Sequence, residues 1–90
     1  MTLSAGYCPV CSITGTLVFL VAHDTHRVFI ACNMCEAAWK TPAPVEGWDK
    51  SIRDFAPQGF RQATLSEVAD AGQDMGLVQR VSDDQFERLK

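Results

Sequence analysis

The chain lacks the features that would point to a membrane, to nucleic acid or to catalysis. Its 90 residues contain no run of 18 apolar residues, so no membrane-spanning helix is expected. The longest apolar stretch, Leu17 to Ala22, fits a buried strand. The opening Met1-Thr2-Leu3-Ser4-Ala5-Gly6 has no charged n-region and no apolar h-region, and the first cysteine follows at position 8, too early for a cleaved leader. A cytoplasmic protein is therefore expected. A basic stripe is also missing. Eight basic residues face 11 acidic ones, for a net charge of −3. Residues 1–41 balance Arg27 and Lys40 against Asp24 and Glu36, whereas residues 42–90 hold six basic and nine acidic side chains. A protein that grips phosphate backbones shows the opposite balance, so nucleic acid is not the expected partner. No Gly-rich phosphate loop, nucleophile elbow, internal repeat or low-complexity tract occurs, and a non-enzyme is expected.

What is present is cysteine in two pairs, Cys8-Pro9-Val10-Cys11 and Cys32-Asn33-Met34-Cys35, separated by 20 residues. Each C-x-x-C turn points two sulfurs at one centre, and its backbone amides can donate to the thiolates. The intervening segment is long enough for a β-hairpin to run out and return. This is the pattern of a structural four-thiolate site, and Cys8, Cys11, Cys32 and Cys35 are the expected ligands of one zinc ion. Four thiolates also hold iron. Disulfides compete, but a chain without an export signal keeps its thiols reduced. Thioredoxin-like redox chemistry needs the motif to open a helix in a βαβ unit, and here a β-rich run follows instead. Four thiolates around one divalent zinc add a formal −2, which takes the net charge to −5.

The expected fold is small α+β in one domain spanning residues 1–90. A zinc ribbon over 7–40 comes first, then an irregular Pro/Gly linker over 41–59, then a helical part over 60–90. Residues 1–7 read as a lead-in. Thr16–Ala22 and Arg27–Ala31 are the hairpin strands, with His23-Asp24-Thr25-His26 as the turn, and residues 36–40 form a third strand. Residues 60–63 read as a brief extended segment. Two short helices follow. Thr64-Leu65-Ser66-Glu67 is a capping box, with Leu65, Val68 and Ala69 on one face and Gly72 as the stop. Ser82-Asp83-Asp84-Gln85 repeats the box, with Ser82 as N-cap, a Val81–Phe86 staple, and Phe86 and Leu89 inward. The hairpin is apolar on both faces. One face is expected under the C-terminal half; the other calls for more of the same chain, a second subunit or a partner. A chain this small buries only roughly 60–65 % of its unfolded surface, so a metal staple matters.

Tyr7-Cys8-Pro9-Val10-Cys11, the aliphatic hairpin, and Cys32-Asn33-Met34-Cys35-Glu36-Ala37-Ala38-Trp39 together resemble a group of small bacterial zinc-ribbon proteins. In that group the second C-x-x-C is followed by an acidic residue and a tryptophan, then a Pro-bearing linker, then a stretch like Phe60 to Val68 leading to a glycine. The similarity spans roughly residues 7–72. The group commonly places tryptophan after that glycine and ends; here Gln73 follows Gly72 and the chain continues. Such proteins resemble immunity proteins encoded beside secreted toxins. The resemblance implies a protein-binding inhibitor that occludes the active site of a cognate, basic toxin domain.

Acidic residues that could meet such a target are Asp24, Glu36, Glu46, Asp49, Asp70, Asp74, Asp83, Asp84 and Glu87. A homodimer, a nucleic-acid-binding ribbon and a structural adaptor are the competing readings. His23 and His26 lie a strand length from the cysteines and read as solvated turn residues. Trp39 is expected in the core. Trp48 has two readings, core and interface anchor.

Overall fold

Seven successive residues of β2 (Thr16–Ala22) set the architecture, because six of them are buried and they alternate between two faces. The computed structural model describes residues 1–11, 15–45, 47 and 50–89. β2 pairs antiparallel with β3 (Val28–Cys32) in the register Leu17–Cys32, Phe19–Ile30 and Val21–Val28 on one face, and Val18–Ala31 and Leu20–Phe29 on the other. The turn between them is hydrogen-bonded throughout. Ala22 N–H donates to Arg27 O at 3.0 Å, and Thr25 N–H donates to Asp24 Oδ1 at 2.9 Å. The expected returning strand, Arg27–Ala31, begins one residue later and takes in Cys32, which pairs with Leu17. β4 (Ala37–Lys40) adds the expected third strand beside β3.

The fold is α+β, as expected, but the sheet is larger than a three-stranded ribbon. β1 (Thr2–Tyr7) is a strand and not a lead-in; it pairs with the first half of β2. Small residues hid it, since Ala5 and Gly6 carry little strand propensity. A bulge between Ser4 and Gly6 uses the +99° φ of Gly6, whose N–H donates to Ser4 Oγ at 3.0 Å. The stretch expected to be irregular contains β5 (Lys50–Ser51) and the helical turn α1 (Ile52–Phe55), capped by Ser51 N–H and Oγ on Asp54 Oδ2 at 2.9 and 3.0 Å. The expected extended segment is β6 (Phe60–Gln62), which pairs with the second half of β2. β7 (Gln79–Val81) follows the helix α2 (Leu65–Asp70) and a 3₁₀ turn at Met75–Leu77, and pairs with β1. The strand order is β5-β4-β3-β2-β1-β7, with β6 sharing an edge of β2 with β1. The last helix is α3 (Asp84–Glu87).

Both hairpin faces are covered by this chain. Leu17, Phe19, Val21 and Ile30 pack with Leu3, Trp39, Ala63 and Val68 of α2. Val18, Leu20, Phe29 and Ala31 pack with Ile52, Ala56 and Phe86 of α3. The second face therefore needs neither a second subunit nor a partner. Each fully buried Phe, Leu, Ile or Val contributes about 1.5–3 kcal/mol relative to exposure. Trp39 is core, 4 % exposed, and its Nε1–H donates to Gly47 O at 2.8 Å. Trp48 lies outside the described residues.

The first capping box forms as expected. Glu67 N–H donates to Thr64 Oγ1 at 3.2 Å and Thr64 N–H donates to Glu67 Oε1 at 3.0 Å. Gly72 stops the helix with φ at +87°. Its inward face is narrower than expected: Val68 is buried while Leu65 and Ala69 are exposed, because fewer than two turns present one position to the sheet. The second box does not form. Asp83, and not Ser82, is the N-cap, and the Gln85 amide is engaged by Asn33 instead of turning back to the cap. Phe86 and Leu89 still pack inward against the second cluster.

Candidate metal centre

The two C-x-x-C turns meet because the strands that carry them are neighbours. Cys8 follows β1, Cys32 ends β3, and both flank the start of β2. Cys8 N–H donates to Gly15 O at 3.0 Å, and Asn33 N–H donates to Thr16 O at 3.1 Å, which ties each turn to that strand. The sulfurs of Cys8, Cys11, Cys32 and Cys35 all lie within 4.8 Å of one another. Between the turns, the Cys11 and Cys32 sulfurs stand 3.4 Å apart and those of Cys8 and Cys35 3.8 Å apart. These are not disulfides, whose sulfurs stand about 2.05 Å apart. A tetrahedral ion with Zn–S bonds of about 2.3 Å would set sulfur–sulfur edges near roughly 3.8 Å. The donor set therefore fits a tetrahedral divalent cation.

Among the described residues, three amides already point at the sulfurs. Cys11 N–H donates to Cys8 Sγ at 3.4 Å; Met34 and Cys35 N–H donate to Cys32 Sγ at 3.3 and 3.5 Å. Such bonds favour the thiolate. The thiols also crowd one another. Cys11 is pushed above the ordinary thiol range, first by its hydrogen bond to Cys35, then by burial, then by Cys32 and Cys8. A bound cation reverses this preference, because coordination deprotonates the thiol and releases its proton. Cys8 and Cys32 are buried, whereas Cys11 and Cys35 are half-buried.

Two supporting residues carry no signal in a cysteine count. A Cβ on Gly15 would clash with Cys32 Sγ, well inside van der Waals contact, and would lie 3.3 Å from Cys11 Sγ, so the sulfurs need the bare backbone there. Asn33 is 7 % exposed. Its Oδ1 accepts from Thr16 N–H at 3.0 Å, and its Nδ2 donates to Gln85 O and Oε1, both at 2.9 Å. It locks the second turn to β2 and to α3 together. An asparagine inside a C-x-x-C was a usable hint, since Asn side chains bond turn backbones. Its remote partner, Gln85, was not legible.

His23 and His26 are exposed at the hairpin tip, a β2 length of about 23 Å from the thiols. Several of the acidic candidates are engaged within the chain. Asp24 braces the turn, Asp74 accepts from Gly76 N–H at 2.9 Å, and Asp83 pairs with the amino terminus at 3.3 Å and with Thr2 Oγ1 at 3.1 Å. Asp70, Asp84, Glu36 and Glu87 are exposed. Glu46 and Asp49 lie outside the described residues. Among the described residues, no other group of three His, Cys, Asp or Glu side chains gathers as a metal site. No described helix is long and apolar enough to cross a membrane. No family model, no curated protein and no solved structure matches the chain significantly.

Proposed function

We propose that this chain is a zinc-stabilised, protein-binding inhibitor of the immunity type, which neutralises a cognate bacterial toxin by covering its active site. One zinc ion held by Cys8, Cys11, Cys32 and Cys35 is the staple, and the protein does no chemistry of its own. The observation that carries the binding role is the surface around the thiols. Tyr7 is 71 % exposed, Met34 55 % and Val10 37 %, and each sits in or beside a cysteine turn. Aromatic and methionine side chains on rigid turns are well suited to protein contacts, since they bring apolar area at low ordering cost. The four-sulfur set leaves no ligand position for a catalytic water, which supports a structural ion. The net negative charge favours encounter with a basic target. The toxin target rests on the resemblance of residues 7–72.

The test is co-expression with a toxin domain encoded beside the gene. Growth should be rescued, and the pair should purify as a complex that Tyr7→Ala and Met34→Ala weaken while zinc content stays near one per chain. Rescue without any complex would remove the contact mechanism. Tight binding of a random RNA in place of protein would favour the nucleic-acid reading.

A further inference from the structure

The backbone does not treat the four thiols alike. A C-x-x-C turn folds its own amides back onto its first cysteine. Cys32 Sγ accepts from Met34 and Cys35 N–H at 3.3 and 3.5 Å, and Cys8 Sγ accepts from Cys11 N–H at 3.4 Å. The second cysteine of each turn has to be served by residues that follow it. After Cys35 the chain steps through left-handed backbone at Glu36, with φ at +62°, and enters β4. Glu36 O is taken by Ile52 N–H at 3.1 Å, and Ala37 pairs with Ser51 of β5. Among the described residues, no backbone amide donates to Cys35 Sγ. Its sulfur meets other thiols instead: Cys8 at 3.8 Å, and Cys11.

Burial divides the set in a similar way. Cys8 and Cys32 are buried, whereas Cys35 is half-buried, with the exposed Met34 and Glu36 on either side of it in the chain. Cys11 is half-buried too, but the backbone of Gly15 lies against it, since a Cβ there would stand 3.3 Å from Cys11 Sγ. These differences matter once a cation has taken the protons. A thiolate that accepts amide hydrogen bonds as well as binding a metal has less electron density to offer an attacking bond, and reaction also needs access. Cys35 combines partial exposure with the absence of a described amide donor. Charge narrows the class of reagent. Four thiolates around a divalent ion carry a formal −2, and Glu36 adds a carboxylate one residue away. An uncharged electrophile is therefore admitted in preference to an anionic one.

We infer that Cys35 is a modification site of the zinc-loaded protein, the first of the four thiolates to be alkylated by an uncharged α,β-unsaturated carbonyl compound, with loss of the ion as the consequence. The sulfur adds to the β-carbon, a C–S bond forms as the C=C π bond opens, and the adjacent carbon takes a proton from water. The resulting thioether is uncharged and a weaker zinc ligand than the thiolate it replaces. This inference rests on the zinc reading above and not on the toxin target.

The experiment treats the zinc-loaded full chain, after its zinc content has been measured, with limiting N-ethylmaleimide. Peptide mass spectrometry locates the label, and a coloured chelator follows released zinc. Cys35 should carry about tenfold more of the first label than any other cysteine, and zinc release should keep pace with it. Maleimidopropionate, which has the same reactive group and a carboxylate, should react more slowly at low salt, with the difference shrinking as salt is added. Cys35→His keeps a fourth ligand, so it should hold near-unit zinc while labelling and zinc release slow by about tenfold. First labelling at Cys8, Cys11 or Cys32, even labelling of all four, or an unchanged rate in Cys35→His would overturn the site while leaving the zinc reading intact. A chain that purifies without zinc would overturn the zinc reading and this inference with it.

Discussion

The two ends of the central hairpin are held by different physics. At the tip, the chain turns on its own hydrogen bonds: Ala22 to Arg27, His26 to Ala22, and Thr25 to Asp24. These bonds lie within six residues, and one tie comes from outside, His23 N–H to Gly59 O at 3.0 Å. At the base, four thiols from distant segments meet at the edge of the first core cluster, where their mutual contacts favour the protonated form and a bound cation would displace the protons. The tip is mainly local. The base is conditional and non-local. A small domain can tolerate such a conditional end because the sheet beyond it is packed on both faces.

Removing the metal should break this comparison most severely. Apparent zinc affinities of about 10–16 kcal/mol in thiolate sites rival the entire stability of a small domain, about 5–15 kcal/mol. Chelation, or Cys32→Ser, is expected to abolish the cooperative melt and the near-UV signal. A chelated protein that keeps both would show that the packed sheet suffices alone. Gly15→Ala should act in the same direction through the sulfurs, lowering zinc affinity by crowding Cys32.

A change far from both ends comes next. Phe86→Ala empties a buried position against Val18, Leu20 and Phe29, and should cost about 3–5 kcal/mol in chemical denaturation. It should not alter zinc stoichiometry. If zinc is lost as well, the base depends on the second face more than the hydrogen-bonded turns suggest.

Asn33→Ala probes the link between base and α3. It leaves Thr16 N–H without its acceptor and frees Gln85, at an expected cost of about 1–3 kcal/mol. Zinc exchange with a coloured chelator should also quicken. Exchange at the wild-type rate would mean that the sulfur cage alone sets ion residence.

The smallest effect concerns acid. Glu67 is held at about 2, below its ordinary 4.5, mainly by hydrogen bonding to Arg61 and then by Thr64 N–H. Its stabilising contribution is therefore complete above about pH 4.5 and fades as pH falls towards 2. Glu67→Gln should flatten the pH dependence of stability in that window. It should do so modestly, because the pair is largely solvated and surface ion pairs contribute little. The comparison is cleanest in zinc-loaded protein at matched metal content, since thiolate protonation also strips the base in acid.

How much of this was legible in the sequence follows the range of the interactions. β2, its turn, β3, β4 and the α2 cap are each specified by neighbours a few residues apart, and all lie where local rules place them. β1 and β7 were not legible. Ala5-Gly6 and Gln79-Arg80 have no strand signature, and both strands exist because a sheet edge supplies their partners. α3 was half legible: its inward Phe86 was apparent, but its cap moved once Gln85 found Asn33 across 52 residues.

The four cysteines, by spacing alone, determined which side chains could share an ion, because a C-x-x-C turn constrains its two sulfurs wherever it is placed. Only the tertiary structure decided that Gly15 must leave room for Cys32, that Asn33 locks the second turn, and that both hairpin faces are closed by the chain itself. Those outcomes depend on which strands become neighbours, and that is settled by burial summed over the whole sheet and not by any short run of residues.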